Sequence, residues 1–332
     1  MTETRTLEVP GASIVYDVRG PLPPADGQPP LVLIGQPMDA SGFGTLASYL
    51  ADRTVVTYDP RGLGRSTRTD GSTAQDPRVQ AEDLHALVGE LGGGPVDLFG
   101  SSGGAITALA WVTAHPQDVR TVVAHEPPLI EVLPDAAEAR AASARVDAAY
   151  AERGWGWGMA AFIAFTSWQG PFPADFLTEL PDPATFGMPG DDDGSRDDPL
   201  LSDASDQVVA YEPDVEALRS SATRVVLAAG IESEGIVTWR TTHALAERLG
   251  TQVAVFPSNH GGFLGDEFGM PGAARRRSRR ACGRCWRGRD RGEAFGTSGV
   301  PNASRVRPMP GVARRPPSPP RGCGRTRPRA AS

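Results

Sequence analysis

Short aliphatic runs alternate with longer segments of helical spacing between residues 31 and 258 of the chain. Runs of this length, bounded by Gly, Pro or Asp, are typical of buried parallel strands. The predicted strands are LVLIG (31–35), TVVTYD (54–59), VDLFG (96–100), TVVAH (121–125), RVVLAAG (224–230) and TQVAVF (251–256). The alternation predicts an α/β fold, with a mainly parallel sheet that carries helices on both faces.

Amphipathic segments between these runs predict helices over residues 42–50, 79–91, 104–114 and 237–249. The last of these is followed by Gly250, which suits a left-handed helix cap. Ahead of the first parallel strand, the segments TLEVPG and ASIVYDV predict an antiparallel pair at one edge of the sheet.

The regular alternation stops between residues 129 and 220, where the chain is rich in Ala, Trp, Pro and acidic residues. We interpret 129–220 as a helical lid inserted into a core made of residues 1–128 and 221–270. An apolar, aromatic lid above an active site would form a substrate pocket. The alternative is that its aromatic residues only pack the interior of a helical subdomain. The predicted pocket residues in the lid are Trp155, Trp157, Phe162 and Phe165.

The net charge of −7 is unevenly divided along the chain. Residues 271–332 hold seventeen Arg against two acids, whereas residues 1–270 hold sixteen Arg against 38 acids. An acidic body does not suit nucleic-acid binding, which needs a basic face, and indicates an enzyme whose partner is a small-molecule substrate. The Arg-, Pro- and Gly-rich tail predicts disorder, and its abrupt change of composition is typical of a shifted reading frame. A functional basic arm that binds nucleic acid is the alternative.

All three cysteines lie in this tail, so disulfides cannot stabilise the body. Cys282 and Cys285 form a lone C-x-x-C pair, which is weak support for a zinc site, and we expect neither a metal nor a cofactor. The chain shows no signal-peptide pattern and no apolar run near the roughly 18 residues that a membrane span needs. The expected location is the cytoplasm, without a membrane partner.

The strand VDLFG runs into the pentapeptide Gly100-Ser101-Ser102-Gly103-Gly104, and an apolar helical segment follows. This G-x-S-x-G pattern is typical of a nucleophile elbow, a sharp strand-to-helix turn that presents a serine hydroxyl. Small residues are needed two places before and after the serine, because strand and helix nearly touch there. That requirement favours Ser102 over Ser101 as the nucleophile. A flexible Gly/Ser linker is the alternative.

A serine nucleophile needs a base and an acid that orients the base, and in a sheet of this kind the chain order should be serine, acid, histidine. His260 is the best base, because it lies in the Gly-rich loop SNHGGF after the last predicted strand. For the acid, Glu232 is the first choice and Glu234 the second, both on the loop after RVVLAAG. Glu126, in HEPP after the preceding strand, is the remaining candidate, with a loop anchor as its other possible role.

An oxyanion hole needs two backbone amides directed at one point. The amide of Gly103 follows the nucleophile, and the amide of Gln36 lies on the loop after LVLIG. Met38, on the same loop, and His125, at the end of a strand, are further predicted pocket residues.

Five segments together resemble the α/β-hydrolase superfamily over residues 6–265: GQPMD (35–39), DPRGLGRS (59–66), GSSGG (100–104), HEPP (125–128) and SNHGG (258–262). The chain is similar to the lid-bearing serine hydrolases related to esterases and cofactor-free haloperoxidases. It departs from the family pattern at Ile34, where a His is common, and at Ser233, where the family usually has an Asp as the catalytic acid.

The resemblance implies acyl transfer from a small carboxylic ester to water through an acyl-enzyme on Ser102. The alternatives are a carbon–carbon bond hydrolase, a destabilised or inactive hydrolase-like protein, and a binding module that uses the lidded pocket without catalysis.

Overall fold

The computed structural model of the protein describes residues 2–265 and 267. A twisted sheet forms the centre of this part of the chain. In sheet order its strands are β1-β2-β4-β3-β6-β7-β8-β9, and a short strand, β5, pairs with β2. The ladder from β4 to β9 is parallel, whereas β2 pairs antiparallel with β1, β4 and β5. The strands are β1 (Thr2–Val9), β2 (Ala12–Arg19), β3 (Leu31–Gln36), β4 (Val55–Tyr58), β5 (Thr67–Arg68), β6 (Val96–Ser102), β7 (Val119–His125), β8 (Arg224–Gly230) and β9 (Ala254–Phe256).

Helices connect the parallel strands and cover both faces of the sheet. They are α1 (Gly44–Ser48), α2 (Pro77–Glu90), α3 (Gly103–Ala114), α4 (Ala136–Arg153), α5 (Trp155–Ser167), α6 (Asp206–Val209), α7 (Val215–Ser220) and α8 (Val237–Leu249). The predicted strands, the antiparallel edge pair and the four predicted helices are all present. Helix α8 ends at Gly250 in the left-handed conformation, as predicted. Helix α2 begins two residues earlier than predicted, because Asp76 caps it and Pro77 is tolerated in a first turn.

Alternation along the buried strands creates two apolar layers. In β3, Val32 and Ile34 pack in the cluster that includes α2, α3 and α8, while Leu31 and Leu33 face the opposite cluster around Phe43. Successive side chains of a strand point to opposite faces, so one short run of aliphatic residues serves both layers.

Among the described residues, no helix combines the length and the apolar character that crossing a bilayer requires.

The chain between β7 and β8 forms α4 to α7 and irregular segments, in the region predicted as the lid. Helices α4 and α5 meet at Gly154, whose φ of 82° favours glycine. The two helices share an apolar cluster with Val237 at the start of α8, which ties this segment to the rest of the molecule. Residues 271–332, for which the sequence predicts a disordered tail, lie outside the described residues.

Candidate active site

Ser102 lies at the junction of β6 and α3, where the backbone turns sharply. Its φ of 57° and ψ of −130° lie outside the regions that residues with a side chain adopt easily. Such a conformation costs on the order of 1–3 kcal/mol and is found mainly at functional sites. A Cβ atom on Gly100 would lie 2.6 Å from the Gly104 carbonyl oxygen, and one on Gly104 would lie 2.5 Å from the Ile34 oxygen. The two glycines therefore allow the close approach that the elbow needs.

Gly103 and Gln36 lie side by side at this turn. Parallel pairing of β3 with β6 sets Gln36 next to Ser102. A Cβ atom on Gly103 would be 2.9 Å from the Gln36 carbonyl oxygen, so the backbones are nearly in contact. The two residues predicted to supply oxyanion amides are thus neighbours beside Ser102.

The imidazole of His260 is hydrogen-bonded to a carboxylate from the end of β7. His260 Nδ1 lies 2.6 Å from Glu126 Oε2. The same carboxylate accepts hydrogen bonds from the Gly230 amide to Oε1 and from the Thr238 hydroxyl to Oε2, both at 2.8 Å. Glu126 is fully buried and has a φ of 49°, a second strained residue of the site. Three donors converge on one buried acid, which fixes its orientation.

The structure thus brings Glu126 to His260, in place of the first-choice acid, Glu232. Residues 231–233 form a single 3-10 turn after β8, in which Ser233 points into the interior and is buried. The residues on either side, Glu232 and Glu234, are therefore exposed. Ser233 occupies the position where the family resemblance implies an acid on this loop. The carboxylate that contacts His260 instead belongs to Glu126, directly after the neighbouring strand β7.

The environment of Glu126 keeps it ionised. Burial raises the pKa of the carboxyl, but the hydrogen bond with His260, electrostatic interactions with the His125 and His260 side chains, and the Gly230 amide outweigh burial and lower the pKa to about 2. A carboxylate that stays charged holds the proton of the neighbouring imidazole on Nδ1, because that proton makes the shared hydrogen bond. The free Nε2 of His260 can then accept a proton.

Ser102 and His260 line one cavity of about 440 Å³. Gln36 and Gly103 also border it, so all the predicted catalytic and oxyanion residues except the acid reach this space. The remaining wall is largely apolar and comes from α4, α5, the segment around residue 200 and the start of α8. Its apolar residues include Ile130, Val146, Phe162, Phe165, Leu201 and Val237.

Two of the predicted pocket residues, Phe162 and Phe165, line this cavity, and the other lid aromatics lie elsewhere. Trp155 and Trp157 come near the start of α5, where their indole N–H groups donate to Asp198 Oδ2 and to the Gly190 carbonyl, each at 3.0 Å. The phenylalanines follow about two turns later on the same helix. Position along α5, rather than the face of the helix, therefore divides its aromatic residues between the neighbouring loop and the cavity.

Met38 and His125 are likewise absent from the cavity wall formed by the described residues. The Met38 side chain packs against Gly35 and Gly42, in the layer that contains Phe43. His125 is buried beneath the site, where its Nδ1 lies 3.0 Å from Ser101 Oγ. The Ser101 and His125 pair was not predicted, because both residues are adjacent to more obvious candidates and their sequence carries no motif for the contact.

Burial keeps His125 neutral and makes the stability of the protein depend on pH. Desolvation lowers the pKa of His125 to about 4; the nearby Glu126 raises it and His260 lowers it further. The unfolded chain takes up a proton near pH 6.5, whereas the folded protein does so only near pH 4. Stability is therefore lost as pH falls through this window, by about 3 kcal/mol at most for a shift of this size.

Urea unfolding of the wild type and of His125→Gln between pH 7 and 4 tests this linkage. The wild type should lose more unfolding free energy than the variant, which retains a neutral hydrogen-bonding group beside Ser101. Partial burial also lowers the pKa of His243, so His243→Gln should flatten the pH dependence in the same direction, but by less than His125→Gln because His243 lies at an exposed position on α8. If the unfolding free energy of the wild type and of His125→Gln fell equally with pH, His125 could not be neutral in the folded protein.

Comparisons with known proteins agree on one family. A family model described as the alpha/beta hydrolase fold matches residues 29–185. The Uncharacterized hydrolase YraK of Bacillus subtilis (strain 168) is 30% identical over 263 residues, which cover 78% of this chain and 89% of that protein.

Solved structures share the fold at lower sequence identity. A carboxylesterase structure from the thaumarchaeon Nitrososphaera gargenis has a TM-score of 0.53 and 19% identity, covering 78% of this chain and 92% of its own. A thermophilic esterase from Thermogutta terrifontis has a TM-score of 0.52 and 21% identity, with the same coverage of 78% and 92%. These likenesses and the family match together confirm the fold predicted from the sequence.

Proposed function

Because the chain belongs to the α/β-hydrolase family of hydrolases, we propose that it cleaves small carboxylic esters through an acyl-enzyme on Ser102. The observation that carries this proposal is the convergence of Ser102 and His260 on one cavity, with the buried Glu126 hydrogen-bonded to His260. A nucleophile, a base and an orienting acid are what acyl transfer by a serine requires. The esterases among the solved structures of the same fold favour ester substrates.

In the proposed reaction, the Ser102 oxygen attacks the ester carbonyl carbon and its proton passes to His260 Nε2. Glu126 stabilises the resulting imidazolium through the hydrogen bond at Nδ1. Collapse of the tetrahedral intermediate breaks the bond to the alkoxy group, which leaves as an alcohol with the proton from His260. A water molecule, deprotonated by the same imidazole, then hydrolyses the acyl-enzyme and regenerates Ser102.

The backbone amides of Gly103 and Gln36 are the proposed oxyanion donors. Their close approach beside Ser102 sets both backbones near the point where the carbonyl oxygen becomes negative. Removal of one such donor in an enzyme of this type typically costs on the order of 100-fold in rate or more. Both groups are backbone amides, so a change of side chain does not delete them.

The cavity favours an apolar substrate of moderate size. A space of about 440 Å³ lined mainly by aliphatic and aromatic side chains suits an acyl chain of several carbons better than a charged group. Phe162 lies on this wall and is only half-buried, so that its removal would lengthen the space without emptying a packed core.

A series of nitrophenyl esters with increasing acyl length tests the proposal. We expect the wild type to release nitrophenol, with a maximum of kcat/KM at an intermediate chain length. Phe162→Ala should move that maximum to longer chains, by about 10-fold in relative kcat/KM, since each buried methylene contributes about 1 kcal/mol or more.

Phe186→Ala is the matched control, because Phe186 is exposed and lies outside the cavity wall. It should leave the chain-length preference unchanged. Failure of the wild type to hydrolyse any ester of the series would overturn the proposed function. If the wild type, Phe162→Ala and Phe186→Ala all hydrolysed the esters with the same chain-length preference, the assignment of this cavity as the acyl site would be contradicted.

A further inference from the structure

A second group of chemically reactive side chains lies at the far end of α3 from Ser102. His85 comes from α2, His115 follows the last residue of α3, and Asp118 ends the 3-10 turn that leads into β7. One ligand-capable atom from each residue lies within 4.8 Å of the others. The fold therefore gathers two imidazoles and a carboxylate from separate elements at one point.

The carboxylate of this group is held in place. Asp118 Oδ2 accepts a hydrogen bond of 3.0 Å from the indole N–H of Trp111, a fully buried residue of α3. The Asp118 side chain is 7% exposed. A carboxylate that is fixed in orientation and lies beside two imidazoles is arranged like part of a metal-coordination shell, unlike a solvated surface carboxylate.

The two imidazoles pack against each other, and the His85 ring has room to move. The His85 side chain is 46% exposed and its Nδ1 lies 2.7 Å from Asp118 Oδ2. The rings of His85 and His115 are stacked, with centroids 3.9 Å apart and planes 5° apart. His115 Nε2 in turn lies 2.9 Å from Oε1 of Glu82, an exposed carboxylate one turn before His85 on α2. A fourth oxygen ligand is thus within reach of the same group.

We propose that His85, His115 and Asp118 form a zinc site that joins α2 to the end of α3, with Glu82 or water as the fourth ligand. Nitrogen and oxygen donors of this kind bind Zn²⁺ tetrahedrally at about 2.0–2.2 Å, which sets ligand atoms roughly 3.3 Å apart. The ligand atoms lie within 4.8 Å of one another, so zinc binding requires movements of up to about 1.5 Å. Rotation of the half-exposed His85 imidazole away from the His115 ring supplies them. Two imidazoles favour zinc over calcium or magnesium, which prefer shells of oxygen atoms.

The site is structural rather than catalytic. Helix α3 has twelve residues and begins directly after Ser102, so the metal would lie about 18 Å away along the helix axis. Bound zinc would hold α2 and α3 together at the end remote from the reaction. No motif in the sequence predicts this site, and no metal is expected from the sequence, because the ligands come from three elements with a spacing that no short zinc motif describes.

Calorimetric titration of the chelator-treated full-length chain with Zn²⁺ near pH 7.5 tests this site. We expect one zinc ion to bind per chain at this site. When the zinc concentration is far above the dissociation constant, the melting temperature should rise by about 5 °C or more. The experiment uses a background in which Cys282 and Cys285 are replaced by Ser, because that pair could bind zinc independently. Both effects should persist in this background.

In that background, joint replacement of His85 and His115 with Ala should abolish the zinc-dependent rise in melting temperature. Asp118→Asn should weaken binding at least 10-fold while keeping an acceptor for the Trp111 indole. His243→Ala, a surface histidine on α8, should change neither quantity. Zinc binding and stabilisation that survive the double replacement, or no binding at micromolar zinc, would overturn the proposal.

Discussion

Replacement of Ser102 with Ala is expected to lower kcat for ester hydrolysis about 10⁴-fold or more, because it removes the only atom that forms the acyl bond in the proposed reaction. Binding should change little, since the serine hydroxyl is a small part of a largely apolar cavity. The measurements are steady-state kinetics and mass spectrometry after reaction with a fluorophosphonate. A single adduct should form on the wild type and be absent from Ser102→Ala.

The neighbouring serine provides a stringent control. Ser101 has a hydroxyl one residue away, but it is buried and directed at His125 rather than at the cavity. Ser101→Ala should keep the adduct and lose less than about 10-fold in kcat. Loss of the adduct in Ser101→Ala with its retention in Ser102→Ala would show that the nucleophile had been assigned to the wrong serine.

Glu126→Gln should lower kcat by about 10³- to 10⁴-fold with little change in KM. A glutamine at this position can donate to His260 Nδ1, which then carries its proton on Nε2 and cannot accept one from Ser102. It also removes the charge that stabilises the imidazolium. The Gly230 amide can still donate to the glutamine oxygen, and the Thr238 hydroxyl can rotate to accept from the glutamine NH2 group, so the isosteric variant should fold.

Glu232→Gln is the matched variant for the competing acid. Its carboxylate is exposed, so kcat should stay within about 3-fold of the wild type. The pH dependence of kcat is a second measurement. Residual hydrolysis by Glu126→Gln should rise with hydroxide concentration, because the imidazole no longer acts as the base. A large loss in Glu232→Gln together with a small one in Glu126→Gln would reverse the assignment of the acid.

Much of the sheet was predictable because its strands are buried on both faces. Segments such as LVLIG and VDLFG must be apolar at every position in order to serve two layers, and this makes them conspicuous. The final strand was predicted three residues too long at its start, since Thr251 to Val253 have strand-like composition but lie outside the ladder. Strand ends depend on pairing with a neighbour, which composition does not record.

The nucleophile and the histidine could be proposed from sequence because each lies in a glycine-rich motif with steric requirements of its own. The acid could not, since carboxylates follow both β7 and β8 and only the turn after β8 decides which side chains face inward. That turn buries Ser233 and leaves its two glutamate neighbours outside. The zinc ligands and the cavity wall depend similarly on how separate elements pack.

The position of Glu126 also bears on how the molecule could diversify. Ser102 ends β6 and Glu126 directly follows the neighbouring strand β7, and both precede α4 and α5, which form part of the cavity wall. The chain can therefore exchange that helical segment for another while Ser102 and Glu126 keep their relative positions within one continuous stretch. Chimeras joined after Pro128 and before β8 offer a route to new substrate ranges, provided that His260 and the two donors to Glu126, Gly230 and Thr238, return to the site.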